Sequence, residues 1–264
     1  MNPPESTAPV PPRKIARAFS AHAADYESHA DIQRELARAV VESLSGLTFG
    51  KRPWIDLGCG PGLVCRMLHN RGILHQAVCM DIAPGSLDLL RLTGPGGTMP
   101  VRGDIRAVPL RSGQCEVALL VSVLQWVRSA RDALSEAFRV LGDHGRLAYA
   151  VFLEPSYGEL RTLRRRRGLA DPGMYYTEAA LEERIRECGF SIERSRRVHG
   201  TRYYAGPLNA VKSLVRTGSC ATPGDSLPAR DLFALCREYK HEYGTPRGIP
   251  LSYNAAVGVA IKRG

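Results

Sequence analysis

The 264-residue chain reads as a doubly wound α/β domain around a mostly parallel, seven-stranded sheet. Short apolar runs of strand length alternate with helix-patterned segments, an order that suits parallel strands because each return to the sheet needs a long crossover. A glycine-rich stretch, Asp56-Leu-Gly58-Cys-Gly60-Pro-Gly62, joins the first of these strands to the helix after it. Acidic residues follow the next two strands, at the end of the sheet where open α/β folds hold their ligands.

Residues 1–12 are proline-rich and lack the charged start and apolar run of a secretory signal, so they read as a flexible leader on a cytoplasmic protein. A single domain is expected over 13–264. It opens with helices Arg13–Ser20 and His29–Leu44, the second carrying Ile32, Leu36, Ala39, Val40 and Leu44 at helical spacing. Strand Trp54–Leu57 comes next, then a helix over Pro61–Arg71 and strand Gln76–Asp81. A helix starts at Pro84, a residue suited to the first helical position. Strands Met99–Arg102 and Val117–Val121, helix Ala130–Leu141 and strand Arg146–Phe152 continue the alternation. Beyond Pro155 the rhythm breaks. A very basic helix, Glu159–Arg167, leads to a turn at Asp171-Pro-Gly173, and Thr177 caps a helix that Gly189 ends after Cys188. Strand Phe190–Val198, helices Leu208–Arg216 and Ala229–Tyr243, and strand Tyr253–Ile261 complete the chain. Insertions near 155–175 and 205–250 are expected to form a helical lid.

The apolar run from Val117 to Val127 is too short and too polar to cross a bilayer. Seven cysteines, at 59, 65, 79, 115, 188, 220 and 236, show neither a Cys-x-x-Cys pair nor a Cys/His ligand pattern, so they read as reduced structural thiols with no metal. The net charge of +10 is uneven, +3 over residues 1–150 and +7 over 151–264. Such a field favours an anionic partner: nucleic acid, an acidic protein or an acidic small molecule.

In the glycine loop the backbone can turn tightly and approach a ligand, and the following helix offers unpaired N–H groups. Asp56, before the first glycine, attracts an ammonium group and repels a pyrophosphate, which suits methionine's α-amino group better than a dinucleotide. Asp81, closing the second strand, is placed to accept hydrogen bonds from both hydroxyls of a ribose. Asp104, in Gly103-Asp-Ile105, can take an adenine amino group while the next backbone N–H meets a ring nitrogen.

These motifs, in this order, resemble the class I S-adenosylmethionine methyltransferases, whose sheet is Rossmann-like. The resemblance implies a cofactor site of Asp56, Gly58, Cys59, Gly60, Gly62, Asp81, Ile82, Asp104, Ile105 and Ser122. From Phe19 onward the chain is further similar to the malonyl-acyl carrier protein O-methyltransferases of biotin synthesis. The residues that carry this are Phe19-Ser-Ala-His-Ala23 with Tyr26, Ala30 and Gln33, then Leu124-Gln125-Trp126, Phe138-Arg-Val-Leu141, Ala210-Val-Lys212-Ser-Leu214 with Gly218, and Pro250-Leu-Ser-Tyr253. The chain departs from that pattern at Asp143-His-Gly145, where a Gly-Gly pair is common, and at Val215, where Lys is common.

The likeness implies methyl transfer from S-adenosylmethionine to the free carboxylate of a malonyl thioester on acyl carrier protein or coenzyme A, with no metal. Tyr26 would close over the cofactor, Gln125 and Trp126 would shape the site, and Lys212, Arg216 or Tyr253 would hold the malonyl group. The basic run 161–167 is either a solvated or lid segment or a docking patch for the acidic carrier protein. Other readings are a methyltransferase for a dicarboxylic acid or prenylquinone precursor, and a catalytically silent binding module on the same fold. RNA is disfavoured because no aromatic and basic interleaving of the kind that stacks bases is present.

Overall fold

A computed structural model describes residues 11–127, 129–169, 174–217 and 228–263. The leader residues 1–10, the turn at 171–173, Gly218 and Cys220 lie outside the described residues.

Helices α1 (Pro12–Ala21), α2 (Tyr26–His29) and α3 (Asp31–Ser43) precede the sheet. The first α/β turns follow as β1 (Trp54–Leu57), α4 (Leu63–Asn70), β2 (Ala77–Asp81), α5 (Pro84–Thr93) and β3 (Thr98–Arg102). Then come β4 (Cys115–Val121), α6 (Ala130–Val140), β5 (Leu141–Leu153), α7 (Gly158–Arg166), α8 (Glu178–Glu187) and β6 (Phe190–Tyr204). The chain closes with α9 (Pro207–Arg216), α10 (Ala229–Tyr243) and β7 (Ile249–Lys262).

The seven strands form one sheet in the order β3-β2-β1-β4-β5-β7-β6. Pairing is parallel from β3 to β5, while β7 runs antiparallel to both β5 and β6. The sheet is therefore doubly wound and mostly parallel, as expected. Successive residues along each strand face opposite sides of the sheet. Trp54, Ala77 and Val117 face a core shared with α3 and α4, whereas Ile55, Val78 and Ala118 face the core under α6 and α8. Covered on both sides, β1 and β2 are buried throughout, which is why they read as unbroken apolar runs.

Several boundaries differ from the pattern reading. Helix α4 begins at Leu63 because Gly62, at φ +87°, is its left-handed cap. Strands β6 and β7 extend well beyond 198 and before 253, since they pair with each other from Phe190↔Lys262 to Tyr204↔Ile249. That pairing hides their polar, charge-bearing stretches from any apolar-run criterion.

The arginines at 161–167 depart furthest from expectation. The run is solvated only in part: Arg165 and Arg166 are exposed, whereas Arg161 and Arg164 are buried. Arg161 lies over the Tyr175 ring, 4.5 Å from its centroid, and pairs with Glu154 at 3.3 Å. Arg166 and Arg167 pair with Glu242 and Glu238 of α10 at 2.5 and 2.6 Å. The run binds α7 to α10 because α10 places its carboxylates opposite, some seventy residues away in sequence.

Candidate active site

In this strand order the chain reverses direction across the sheet between β1 and β4, and a crevice opens beyond their carboxyl ends, where α/β sheets bind ligands. A cavity of about 330 Å³ lies there, a size in the range of small-molecule sites. Its wall brings together Tyr26, Asp56, Gly58, Cys59, Gly60, Asp81, Ile82, Asp104, Ile105, Ser122 and Trp126, all singled out in the sequence.

The loop after β1 is held by the neighbouring strand: the N–H groups of Gly58 and Cys59 donate to the Met80 carbonyl at 2.8 and 3.0 Å. Gly58 sits at φ +81°, and a Cβ there would lie 2.5 Å from Val123 Cγ2. Gly58→Ala is therefore expected to cost on the order of 1–2 kcal/mol in backbone strain alone and to weaken S-adenosylhomocysteine binding at least tenfold. Calorimetric titration and the unfolding midpoint check both; unchanged affinity would show that the loop tolerates the displacement of Val123. Gly60, at φ +53°, has nothing within 4 Å of the position a Cβ would take, so the backbone lies open to the cavity.

Three carboxylates face this wall in different electrostatic states. Asp56 is 1% exposed, and its described hydrogen bond is from the Cys65 thiol at 3.4 Å. Burial holds its carboxyl well above the usual carboxylate range, with the nearby Cys79 and Asp81 adding to the shift. A buried anion served by one weak donor suits a cationic ligand group. Asp81 accepts N–H bonds from Gly60 and Ala83, both at 2.8 Å, one on each oxygen. A carboxylate has acceptor capacity beyond those two bonds. Burial raises its pKa, and the backbone N–H groups pull it back. Asp104 is clamped by Arg106 through two bonds of 3.0 and 2.6 Å, which holds its carboxyl below the usual range.

At the end of β4, Ser122 takes a left-handed φ of +56°, a strained choice for a non-glycine residue, and its buried Oγ has no hydrogen-bond partner in the described structure. Gln125 does not line the cavity. Its Nε2 donates to the Ser122 carbonyl at 2.9 Å and so braces that turn from behind. Tyr26 has its hydroxyl pushed far above the ordinary phenol value by burial and by Asp81 and Asp56, so it stays protonated.

Lys212, Arg216 and Tyr253 do not line the cavity. Lys212 is exposed on α9, Arg216 pairs with Asp25 at 3.0 Å beside the start of α2, and Tyr253 is buried with its hydroxyl toward Glu35. The sequence reading missed the roof. Pro12, Ile15 and Phe19 of α1 line the cavity, and Phe19 meets Trp126 edge-on with ring centroids 5.8 Å apart. Their spacing of three and four residues was the available signal, but only the fold shows that this face covers a ligand site rather than core.

A family model described as a methyltransferase domain matches residues 55–149. In fold, the chain is similar to the methyltransferase solved in complex with the Haloferax volcanii Trm112 activator, with a TM-score of 0.63 at 15% identity over 93% of this chain and 98% of that one. It is likewise similar to the geranyl diphosphate C-methyltransferase of Streptomyces coelicolor, solved with S-adenosyl-L-homocysteine, with a TM-score of 0.54 at 13% identity over 86% and 78% of the two chains. The fold and the glycine-loop site define a class I S-adenosylmethionine-dependent methyltransferase.

Curated relatives narrow the class. A malonyl-[acyl-carrier protein] O-methyltransferase of Methylococcus capsulatus is 30% identical over 78% of this chain and 76% of its own length. Proteins of the same name from Geobacter sulfurreducens and Salmonella typhimurium are 27% and 28% identical, covering 94% and 96% of this chain and 97% and 98% of their own. The chain belongs to the malonyl-[acyl-carrier protein] O-methyltransferase family.

Proposed function

We infer that this enzyme transfers a methyl group from S-adenosylmethionine to the free carboxylate of malonyl-acyl carrier protein, giving the methyl ester that enters biotin synthesis. The near full-length similarity to proteins of that name carries the reading. The ester has a purpose in elementary terms: burying an unpaired carboxylate is costly, and a neutral end can be elongated as though it were hydrocarbon.

The chemistry asks for positioning rather than proton transfer. A malonyl carboxylate has an ordinary pKa of about 4 and is already ionised at neutral pH, so no general base is required. Tyr26, which holds its proton, suits an orienting donor. When bound, S-adenosylmethionine supplies an electrophilic methyl on a positively charged sulfur. The residues present fit that ligand: Asp56 takes its ammonium group, Asp81 its ribose hydroxyls, and Asp104 with the Ile105 N–H its adenine. Gly58, Cys59, Gly60 and Gly62 shape the cradle with Ile82 and Ser122. Phe19 and Trp126 exclude water, so that a carboxylate oxygen can be held in line with the methyl carbon. Lys212 and Arg216 on α9, with Tyr253 and the Gln125–Trp126 turn, are the candidates to hold the malonyl group. The described parts of 155–175 and 205–250 are assigned as the lid, in one domain over 13–264.

The enzyme works in the cytoplasm, in keeping with its six described cysteines being free. Among the described residues no helix is long and apolar enough to cross a membrane, and no group of side chains suited to a metal ion occurs.

Labelled methyl transfer tests the reading, with malonyl-acyl carrier protein as substrate and acetyl-acyl carrier protein and bulk tRNA as controls. Base-labile label on the malonyl protein alone is the expected result. Label on tRNA, or on none of the three from protein that binds S-adenosylhomocysteine, would overturn the substrate and leave the class.

A further inference from the structure

The second half of the chain holds most of the excess positive charge, yet the fold spends much of it internally. Arg161, Arg166, Arg167, Arg184, Arg186, Arg196, Arg197, Arg202 and Arg216 all stand in ion pairs with this chain's own carboxylates. Helix α1 is different. Its ten residues include Arg13, Lys14 and Arg17 and no acidic side chain. All three cations are exposed, and none has an ion pair among the described residues. Spacings of three and four residues place them on one face. The other face, Pro12, Ile15 and Phe19, forms the roof of the methyl-transfer cavity.

We propose that the outer face of α1, through Arg13, Lys14 and Arg17, is the docking surface for the acidic carrier protein; the proposal rests on the substrate reading above. A thioester delivered on a flexible arm enters the cavity from the rim, so the protein bearing the arm comes to rest against whatever forms that rim. Helix α1 forms it with one side and with the other presents three cations that have no ion pair among the described residues. Unpaired cations at a rim steer an anionic partner and set its register without the cost of breaking an internal ion pair. The run at 161–167 is less suited to this task, because Arg161 and Arg164 are buried and Arg166 and Arg167 are paired with α10, which leaves Arg165 as its one exposed arginine without an ion pair among the described residues.

The test is steady-state methylation by the full-length enzyme carrying Arg13→Glu, Lys14→Glu and Arg17→Glu together, with malonyl-carrier protein and malonyl-pantetheine compared. Malonyl-pantetheine shares the reacting group and the arm but lacks the acidic protein. The expected result is a rise in KM for the carrier protein of about tenfold or more at low salt, steeply reduced at high salt where such fields are screened. The carrier kcat, the malonyl-pantetheine kinetics and S-adenosylhomocysteine binding stay at wild-type values. The milder Arg13→Gln, Lys14→Gln, Arg17→Gln variant gives the same pattern at smaller amplitude and serves if the Glu variant fails to fold. An unchanged KM for the carrier protein, an equal change for both substrates, or lost tRNA binding with carrier kinetics intact would each overturn the proposal. A wild-type enzyme that methylates the carrier protein while the Glu variant keeps its carrier KM overturns the docking surface alone; a wild-type enzyme that does not methylate the carrier protein overturns the substrate reading, and the docking surface with it.

Discussion

Asp56→Asn weakens S-adenosylmethionine and S-adenosylhomocysteine binding by about 100-fold or more, on the order of 3 kcal/mol, because it removes the buried countercharge of an ammonium group while keeping the shape of the side chain. Asp56 sits at 1% exposure with one thiol donor, so nothing beside it compensates. Its raised pKa adds a sign that can be checked. In the ligand-free protein the folded state holds the Asp56 proton more tightly than the unfolded state does. Stability associated with this group is therefore greatest at acid pH and declines as pH rises from the ordinary aspartate range through the raised folded value. The Asn variant escapes that decline and should be at least as stable as the wild type at neutral pH without ligand. Cofactor affinity in the wild type should fall on acidification as Asp56 takes up a proton, and this part of the pH dependence should vanish in the variant. Titration calorimetry across pH and thermal unfolding without ligand are the measurements. An Asn variant that binds normally would remove Asp56 from the ammonium site.

Arg161→Ala should destabilise the fold by on the order of 3 kcal/mol, lowering the unfolding midpoint by roughly 5–10 °C. The guanidinium is buried against the Tyr175 ring and reaches Glu154 at 3.3 Å and the Ser156 carbonyl at 3.4 Å. Removing it leaves a cavity and costs the Glu154 carboxylate a partner. Lys at this position cannot restore both the stacking and the forked donors. Arg165, exposed on the same helix, is the internal control, and its replacement by Ala should stay within about 0.5 kcal/mol. Equal midpoints for the two variants, measured by denaturant and heat, would assign Arg161 to the surface role that a basic run suggests.

These two residues mark the limit of what one-dimensional reading can reach. Asp56 was legible because its meaning is local. A carboxylate before Gly58-Cys-Gly60, between an apolar strand and a helix, has its environment set by residues within a few positions. The same holds for Asp81 and for Gly103-Asp-Ile105, each placed by the strand it follows. Arg161 was not legible, since its neighbours Glu154 and Tyr175 become a pocket only when α7 folds back over β7 and α10.

The sequence by itself determined the alternation of strands and helices, the seven-strand count, the loop that meets the cofactor and the acidic residues around it, because periodicity and turn chemistry act over a few residues. Only the tertiary structure decided that β7 slots antiparallel between β5 and β6, that Ile15 and Phe19 roof the site with Trp126, and which arginines are spent on internal carboxylates and which, on α1, have no ion pair among the described residues. Burial and ion pairing are through-space quantities. They depend on partners up to about 190 residues away, as with Asp25 and Arg216, which no local pattern records.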